Sequence, residues 1–133
     1  MKVANALALA ALATLSFALP SYAAGFESIV LSAEKDAASS QSNFPADTPV
    51  INIGADLVDV PATSKVTFAW ISVDSHGAAP PNFAIATVDI PVGSNTHVSG
   101  QLSKPNAGWP VGTYKVDLEI DGKVVDSVPF SIP

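Results

Sequence analysis

Short runs of β-branched and aromatic residues, separated by turns that contain glycine and proline, recur along the chain from residue 27 onward. In the clearest run, 112–120, apolar residues from Tyr114 to Ile120 alternate with polar ones. Such alternation places one strand face against a core and the other in water. Seven runs at short intervals predict an all-β sandwich of about seven antiparallel strands. The runs are 27–31, 48–60, 64–74, 82–90, 96–102, 112–120 and 123–132.

Three of these runs carry more detailed expectations. Both faces of 64–74 are largely apolar, which favours a central strand, whereas the alternation in 82–90 does not choose an inner face. Asp121 and Gly122 suit a two-residue hairpin turn, because such turns need positive φ angles. That turn pairs Leu118 with Val125, yet the terminal apolar residues have the opposite parity, so we expect a bulge within 126–129.

The first 23 residues have the features of a cleaved signal peptide. Lys2 precedes an apolar run over 4–19, and small residues follow Pro20. The run is shorter than the roughly 20 apolar residues that a membrane-spanning helix needs, so we expect no membrane insertion after cleavage. We therefore divide the chain into a signal peptide, 1–23, and one mature domain, 24–133. We expect the mature protein to be exported, either periplasmic or extracellular.

Charge and cysteine content narrow the classes of function. Residues 24–133 hold five lysines, no arginine and twelve acidic residues, a formal net charge of −7. Such a surface repels phosphate backbones and anionic headgroups, so we expect no nucleic-acid or membrane-surface role. The chain has no cysteine, so its stability in an oxidising compartment rests on core packing.

Trp70 lies on the third predicted strand, in "VTFAW", and "GTY" (112–114) opens the sixth. With "FPADTPVI" and "GWPVGTYKVDLEIDGKVV", these stretches resemble a bacterial exported immunoglobulin-like, or fibronectin-III-like, domain without cysteine. The resemblance implies that Trp70 is buried and that the Tyr114 hydroxyl bonds to the backbone of the preceding corner. It brings no catalytic residues, because the matching positions are structural. We expect a core that includes Phe68, Trp70, Tyr114, Val116 and Leu118.

Two stretches contain residue types that catalysis or metal binding uses. Asp74, Ser75 and His76 are the types of a hydrolase triad, but consecutive residues of an extended chain point to alternate sides. We interpret 74–76 as a polar loop.

The acidic residues Asp117, Glu119 and Asp121 match the start of a calcium-binding loop, yet Val128 stands where the closing glutamate belongs. A solvated strand face leading into a turn explains them equally well, and weak calcium binding stays an alternative. His76 and His97 are the only histidines, too few for a tetrahedral zinc site without distant carboxylates. We expect no bound metal or cofactor.

Trp109, between Gly108 and Pro110, is the residue with the most open role. Its ring either covers the end of the core or stands exposed as a platform for a sugar or a protein partner. Loops on a rigid scaffold commonly carry binding residues. The candidate partner surface comprises Trp109, Pro110, His76, Pro80, Pro81 and Phe83.

Together these features predict a non-catalytic interaction or accessory module whose partner is another exported protein or a glycan. Two alternatives are an inhibitor of a secreted peptidase and a carbohydrate-binding module. The sequence holds no plausible catalytic constellation and leaves the oligomeric state open.

Overall fold

The computed structural model describes residues 24–133, and the predicted signal peptide lies outside these residues. Two antiparallel sheets face each other, with the orders β1-β2-β5 and β4-β3-β6-β7. No helix in the described part is long and apolar enough to cross a membrane. The strands are β1 (Gly25–Ser32), β2 (Val50–Val58), β3 (Lys65–Asp74), β4 (Phe83–Pro91), β5 (His97–Ser103), β6 (Gly112–Ile120) and β7 (Lys123–Ile132). The all-β prediction is confirmed.

Strand β3 lies between β4 and β6 inside the four-stranded sheet, in keeping with its two apolar faces. The core fills the space between the two sheets, and Trp70 and Phe68 at its centre are fully buried. Burying side chains of this size contributes roughly 1.5–3 kcal/mol each. The core also contains Leu31, Phe44, Ile51, Ile53, Ala55, Val66, Val92, Val98, Trp109, Tyr114, Val116, Leu118, Phe130 and Ile132.

The corner before β6 is closed by a tyrosine. The Tyr114 hydroxyl donates a hydrogen bond to the carbonyl of Pro110, which is the corner contact that the resemblance implied. The Tyr114 ring stacks on Phe130 and meets Trp109 edge to face, with centroid separations of 5.1 and 6.0 Å. Burial raises the pKa of Tyr114. The corner is therefore tied to the aromatic core by packing as well as by a hydrogen bond.

The β6–β7 hairpin turns at Asp121 and Gly122, whose φ angles are 51° and 83°. Leu118 pairs with Asp126 and Glu119 with Val124, so Val125 is the extra residue of a bulge. The bulge thus precedes the range 126–129 that we expected. The extra residue reverses which of the following β7 residues face inward, so the last apolar residues of the strand point to the core.

A second bulge explains why alternation left the inner face of β4 undecided. Ala84 and Ala86 pair with neighbouring residues of β3, so Ile85 between them is unmatched. Below this bulge, Val88 pairs with the buried Phe68, and above it Phe83 pairs with the buried Ser72. The inward-facing residues of β4 are therefore odd-numbered above the bulge and even-numbered below it.

The loops collect at two ends of the sandwich. The segments 33–49, 75–82 and 104–111 lie at one end, which we call the upper end, together with the end of β7. The segments 59–64 and 92–96 and the 121–122 turn lie at the other, the lower end. The predicted partner surface belongs wholly to the upper end.

Candidate binding surfaces

An apolar cleft of about 130 Å³ opens at the upper end of the sandwich, between the loops 75–82 and 104–111. We call it the upper cleft. Loop residues supply its walls, and the upper parts of β3, β4 and β6 supply its base. It is lined by Ser72, Ser75, Ala79, Phe83, Ile85, Pro105, Trp109, Pro110 and Tyr114.

One polar group in the upper cleft has no hydrogen-bond partner. The Ser72 hydroxyl is buried and unpaired, while Ser75 accepts a hydrogen bond from the amide of Ala79 at 2.8 Å. An unsatisfied buried hydroxyl costs roughly 1–3 kcal/mol. The Ser72 oxygen is itself closed off from solvent, so the surface that the upper cleft presents to a ligand is almost wholly apolar.

Trp109 is a wall of this cleft and not a free platform, because only 3% of its surface is exposed. Its indole N–H donates to the carbonyl of Thr48 at 2.8 Å, and its amide donates to the carbonyl of Ala46 at 2.9 Å. The ring therefore joins the 104–111 loop to the end of the 33–49 loop. Of the two alternatives for Trp109, the structure has the one in which the ring covers the end of the core, and the 33–49 loop in turn covers the ring.

The structure brings part of the predicted partner surface together. Phe83 and Pro110 line the upper cleft beside Trp109, and Phe83 is 47% exposed. His76, Pro80 and Pro81 are exposed on the 75–82 loop but do not line the cleft.

The triad-like residues serve a local turn. Asp74 accepts a hydrogen bond from the backbone amide of His76 at 3.0 Å, and Ser75 is bonded to Ala79 in both directions. Neither contact joins the His76 ring to a hydroxyl. Asp74 is the last residue of β3, and Ser75 and His76 belong to the loop that follows it, so the loop interpretation holds for 75 and 76 only.

Two of the three carboxylates of the calcium-like stretch, Asp117 and Asp121, are hydrogen-bonded to different partners. Asp117 is buried and accepts from the Ser127 hydroxyl at 2.8 Å. Asp121 accepts from the amide of Lys65 at 3.0 Å and from the hydroxyl of Ser64 at 2.8 Å, and these bonds lower its pKa. Within 24–133, no group of three or more metal-binding side chains is placed to hold an ion.

A broader, polar groove of about 540 Å³ lies on the outer face of the β1-β2-β5 sheet, and sequence reasoning missed it. Asp56 and His97 face each other across β2 and β5, with 2.7 Å between Oδ1 and Nδ1. The His97 ring lies over Gly54, where an added Cβ would be 3.2 Å from its Nε2 atom. The alternation of polar residues in 52–56 and 97–101 is the signal that, with the β2–β5 pairing, would have located this groove.

The Asp56–His97 pair does not amount to a catalytic site. Both side chains are about half exposed, so water screens their interaction. The only hydrogen bond that the described residues give the His97 side chain is the one to Asp56. A catalytic base of this type needs a nucleophile within hydrogen-bond reach.

Two solved structures superpose on this chain and identify its fold. An immunoglobulin-like protein from Pseudomonas aeruginosa superposes with a TM-score of 0.52 at 7% sequence identity, over 85% of this chain and 94% of that chain. The fold is immunoglobulin-like.

The immunoglobulin-like fold also matches part of a larger protein. An alkylpurine DNA glycosylase from Pseudomonas fluorescens, bound to DNA containing an abasic site analogue, aligns with a TM-score of 0.52 at 16% identity. The alignment covers 90% of this chain, which spans only 33% of the glycosylase chain. At these identities the likeness is one of fold alone, and fold does not determine function. No protein-family model and no curated protein matches the sequence.

Proposed function

We propose that this protein is a non-catalytic, exported interaction module that binds another exported protein through the upper cleft. The observation that carries the proposal is the open, almost wholly apolar upper cleft, with the half-exposed Phe83 ring in its lining. A partner side chain with a large apolar surface fits this chemistry. Tyrosine and tryptophan have that character and are enriched at protein interfaces.

Electrostatics support a protein partner over a polyanion. The acidic residues of 24–133 outnumber the lysines by seven, and no arginine is present to bind phosphate. The burial of Trp109 removes the aromatic platform on which the carbohydrate alternative depended. The peptidase-inhibitor alternative belongs to the same class of protein binding and is an outcome of the same experiment.

The experiment is affinity capture from the exported fraction of the producing organism, with immobilised residues 24–133. Phe83→Ser removes a half-exposed cleft side chain, and Val125→Ser is the matched control, because Val125 is similarly exposed at 39% but lies near the lower end. We expect a defined protein to be retained by the wild type and by Val125→Ser but not by Phe83→Ser. Thermal melting of each variant checks that it is folded.

Three outcomes contradict the proposal. Retention that survives Phe83→Ser removes the cleft from the function. Elution of the retained material by free sugars favours the carbohydrate alternative. Turnover of a substrate by the purified wild type, abolished by one substitution, makes the protein an enzyme. Retention and inhibition of a peptidase selects the inhibitor form of the proposal.

A further inference from the structure

The two sheets have unequal widths, three strands against four, and the extra strand is β4. An added Cβ on Gly100 of β5 would lie 2.8 Å from the Phe68 ring, so β5 packs directly on β3. Strand β5 also approaches β4, and Ile85, Ala86 and Ile90 of β4 pack against the core. The rest of the inner face of β4 overhangs the edge of the smaller sheet.

Two large apolar side chains on this overhanging face remain uncovered. Phe83 and Val88 both face inward by their pairing with β3, yet they are 47% and 37% exposed. Val88 pairs with Phe68, which is fully buried. The exposure thus reflects incomplete cover by the smaller sheet and not an outward orientation. Phe83 also lines the upper cleft, so the apolar surface is continuous with it.

The two sides of the sandwich differ in how their strand edges are protected. On the β1/β7 side, Ser42 accepts a hydrogen bond from the amide of Ser131, and the amide of Phe44 donates to the Ser131 carbonyl. Pro129 further blunts β7, and the amide of Gln41 donates to the carbonyl of Leu31 in β1. Such features prevent another chain from pairing with an edge.

On the opposite side, β5 pairs with β2 alone among the strands of residues 24–133, and its other edge is open. Its seven residues include no proline, no lysine and no acidic residue, and its pairing with β2 has no bulge. An open edge of this kind is a template for pairing with an extended segment. A strand added there would lie opposite β4 and cover Val88.

We propose that an extended segment of the partner protein pairs with the free edge of β5 and packs alternate apolar side chains on Phe83 and Val88. This inference rests on the proposed function and specifies the kind of partner. The added strand makes the smaller sheet four-stranded and buries the overhanging face of β4. Main-chain hydrogen bonds would supply affinity, and the apolar contacts would set the register.

Charge complementarity selects the occupant. A second copy of this chain would bring a formal charge of −7 against an identical charge, which opposes association. A segment with basic flanking residues is attracted by the net negative charge of the domain, and salt weakens that attraction. We therefore commit to an apolar, alternating segment with basic flanks, in a different protein.

The test uses a fluorescent peptide of alternating threonine and valine with two lysines at each end. Two further peptides serve as controls. One has glutamate flanks in place of lysine. The other has N-methylated central residues, which lack the backbone N–H groups needed to pair with the edge of β5. The protein variants are Val88→Lys and its matched control Thr87→Lys, because Thr87 is an exposed neighbour on the opposite face of β4. Fluorescence anisotropy gives the affinities, and amide exchange by NMR reports protection along β5.

We expect the lysine-flanked peptide to bind the wild type and Thr87→Lys with similar affinity and to protect amides of β5. Val88→Lys, glutamate flanks and N-methylation should each weaken binding by about tenfold or more. The absence of binding at about 1 mM peptide, or equal loss in both lysine variants, overturns the proposal. Concentration-dependent self-association that Val88→Lys abolishes identifies a second copy as the occupant and also overturns it.

The same variants separate this inference from the proposed function. If the captured exported protein is lost with Phe83→Ser but retained by Val88→Lys, the upper cleft binds a partner without strand addition. If the wild type captures no protein but binds the lysine-flanked peptide with β5 protection, strand addition stands and the cleft function fails.

Discussion

The two tryptophans provide a paired test of how hydrogen bonding stabilises this core. Both indole rings are buried, but the N–H of Trp109 donates to Thr48 at 2.8 Å, whereas the N–H of Trp70 has no partner. Site-specific replacement of one indole by benzothiophene keeps the ring shape nearly unchanged and puts sulfur in place of the N–H group. The perturbation therefore removes a donor without opening a large cavity.

The expected magnitudes follow from the partners. At Trp109 the replacement leaves the buried carbonyl of Thr48 unsatisfied, which costs about 1–3 kcal/mol. At Trp70 it removes an orphan donor, so the free energy of unfolding should stay the same or rise. For a domain of 110 residues, 1–3 kcal/mol corresponds to a fall in Tm of about 4 to 12 °C.

Urea unfolding followed by far-ultraviolet circular dichroism measures both variants under the same conditions. If the free energy of unfolding falls with urea concentration at the same slope in both variants and the wild type, the surface exposed on unfolding has not changed. The interpretation is refuted if the Trp70 replacement destabilises the protein as much as the Trp109 replacement. That result would mean that shape, and not hydrogen bonding, distinguishes the two sites.

Three other substitutions test separate parts of the fold. Gly112→Ala should destabilise by about 1–3 kcal/mol or more, because its Cβ would lie 2.1 Å from the carbonyl oxygen of Asp74, while Gly25→Ala, with open space around it, should be near neutral in thermal melting. Tyr114→Phe should lower the free energy of unfolding in urea by about 1 kcal/mol through loss of the corner hydrogen bond, and an unchanged value would contradict that role. The lowered pKa of Asp121 contributes stability above the ordinary aspartate pKa of about 3.9 that is lost as pH falls through the folded-state value. Asp121→Asn should therefore flatten the acid limb of a stability-against-pH curve, and an unchanged limb would count against this linkage.

Local pattern predicts the strands of this fold well where one face is buried and the other is solvated. The alternation from Tyr114 to Ile120 gives both the extent and the inner face of β6, because burial acts on every second residue. The same reasoning does not predict the inner face of β4, because the bulge at Ile85 changes which alternate residues face inward. A bulge depends on how a strand packs on its neighbours, so alternation in one strand does not reveal it.

The binding surfaces depend on long-range pairing, which no local pattern contains. Trp109 is buried because the loop near Thr48, 61 residues earlier, covers it. Asp56 and His97 meet only because β2 and β5 are neighbours, 41 residues apart in sequence. Composition nevertheless predicts which classes of partner to expect, since the net charge acts over the whole surface regardless of the strand pairing.

The asymmetry between the two sides of the sandwich links stability to function. On the β1/β7 side, the chain uses its own 33–49 segment to pair with the edge of β7, and Phe44 from that segment is fully buried against Phe130. No such segment of the described chain covers β4 and β5 on the other side, where Val88 remains exposed. An open strand edge beside exposed apolar residues favours aggregation, so proteins commonly block such edges unless the edge binds a partner. An edge that is protected on one side and open on the other is therefore what the proposed partner strand would account for, and the peptide titration with Val88→Lys tests it.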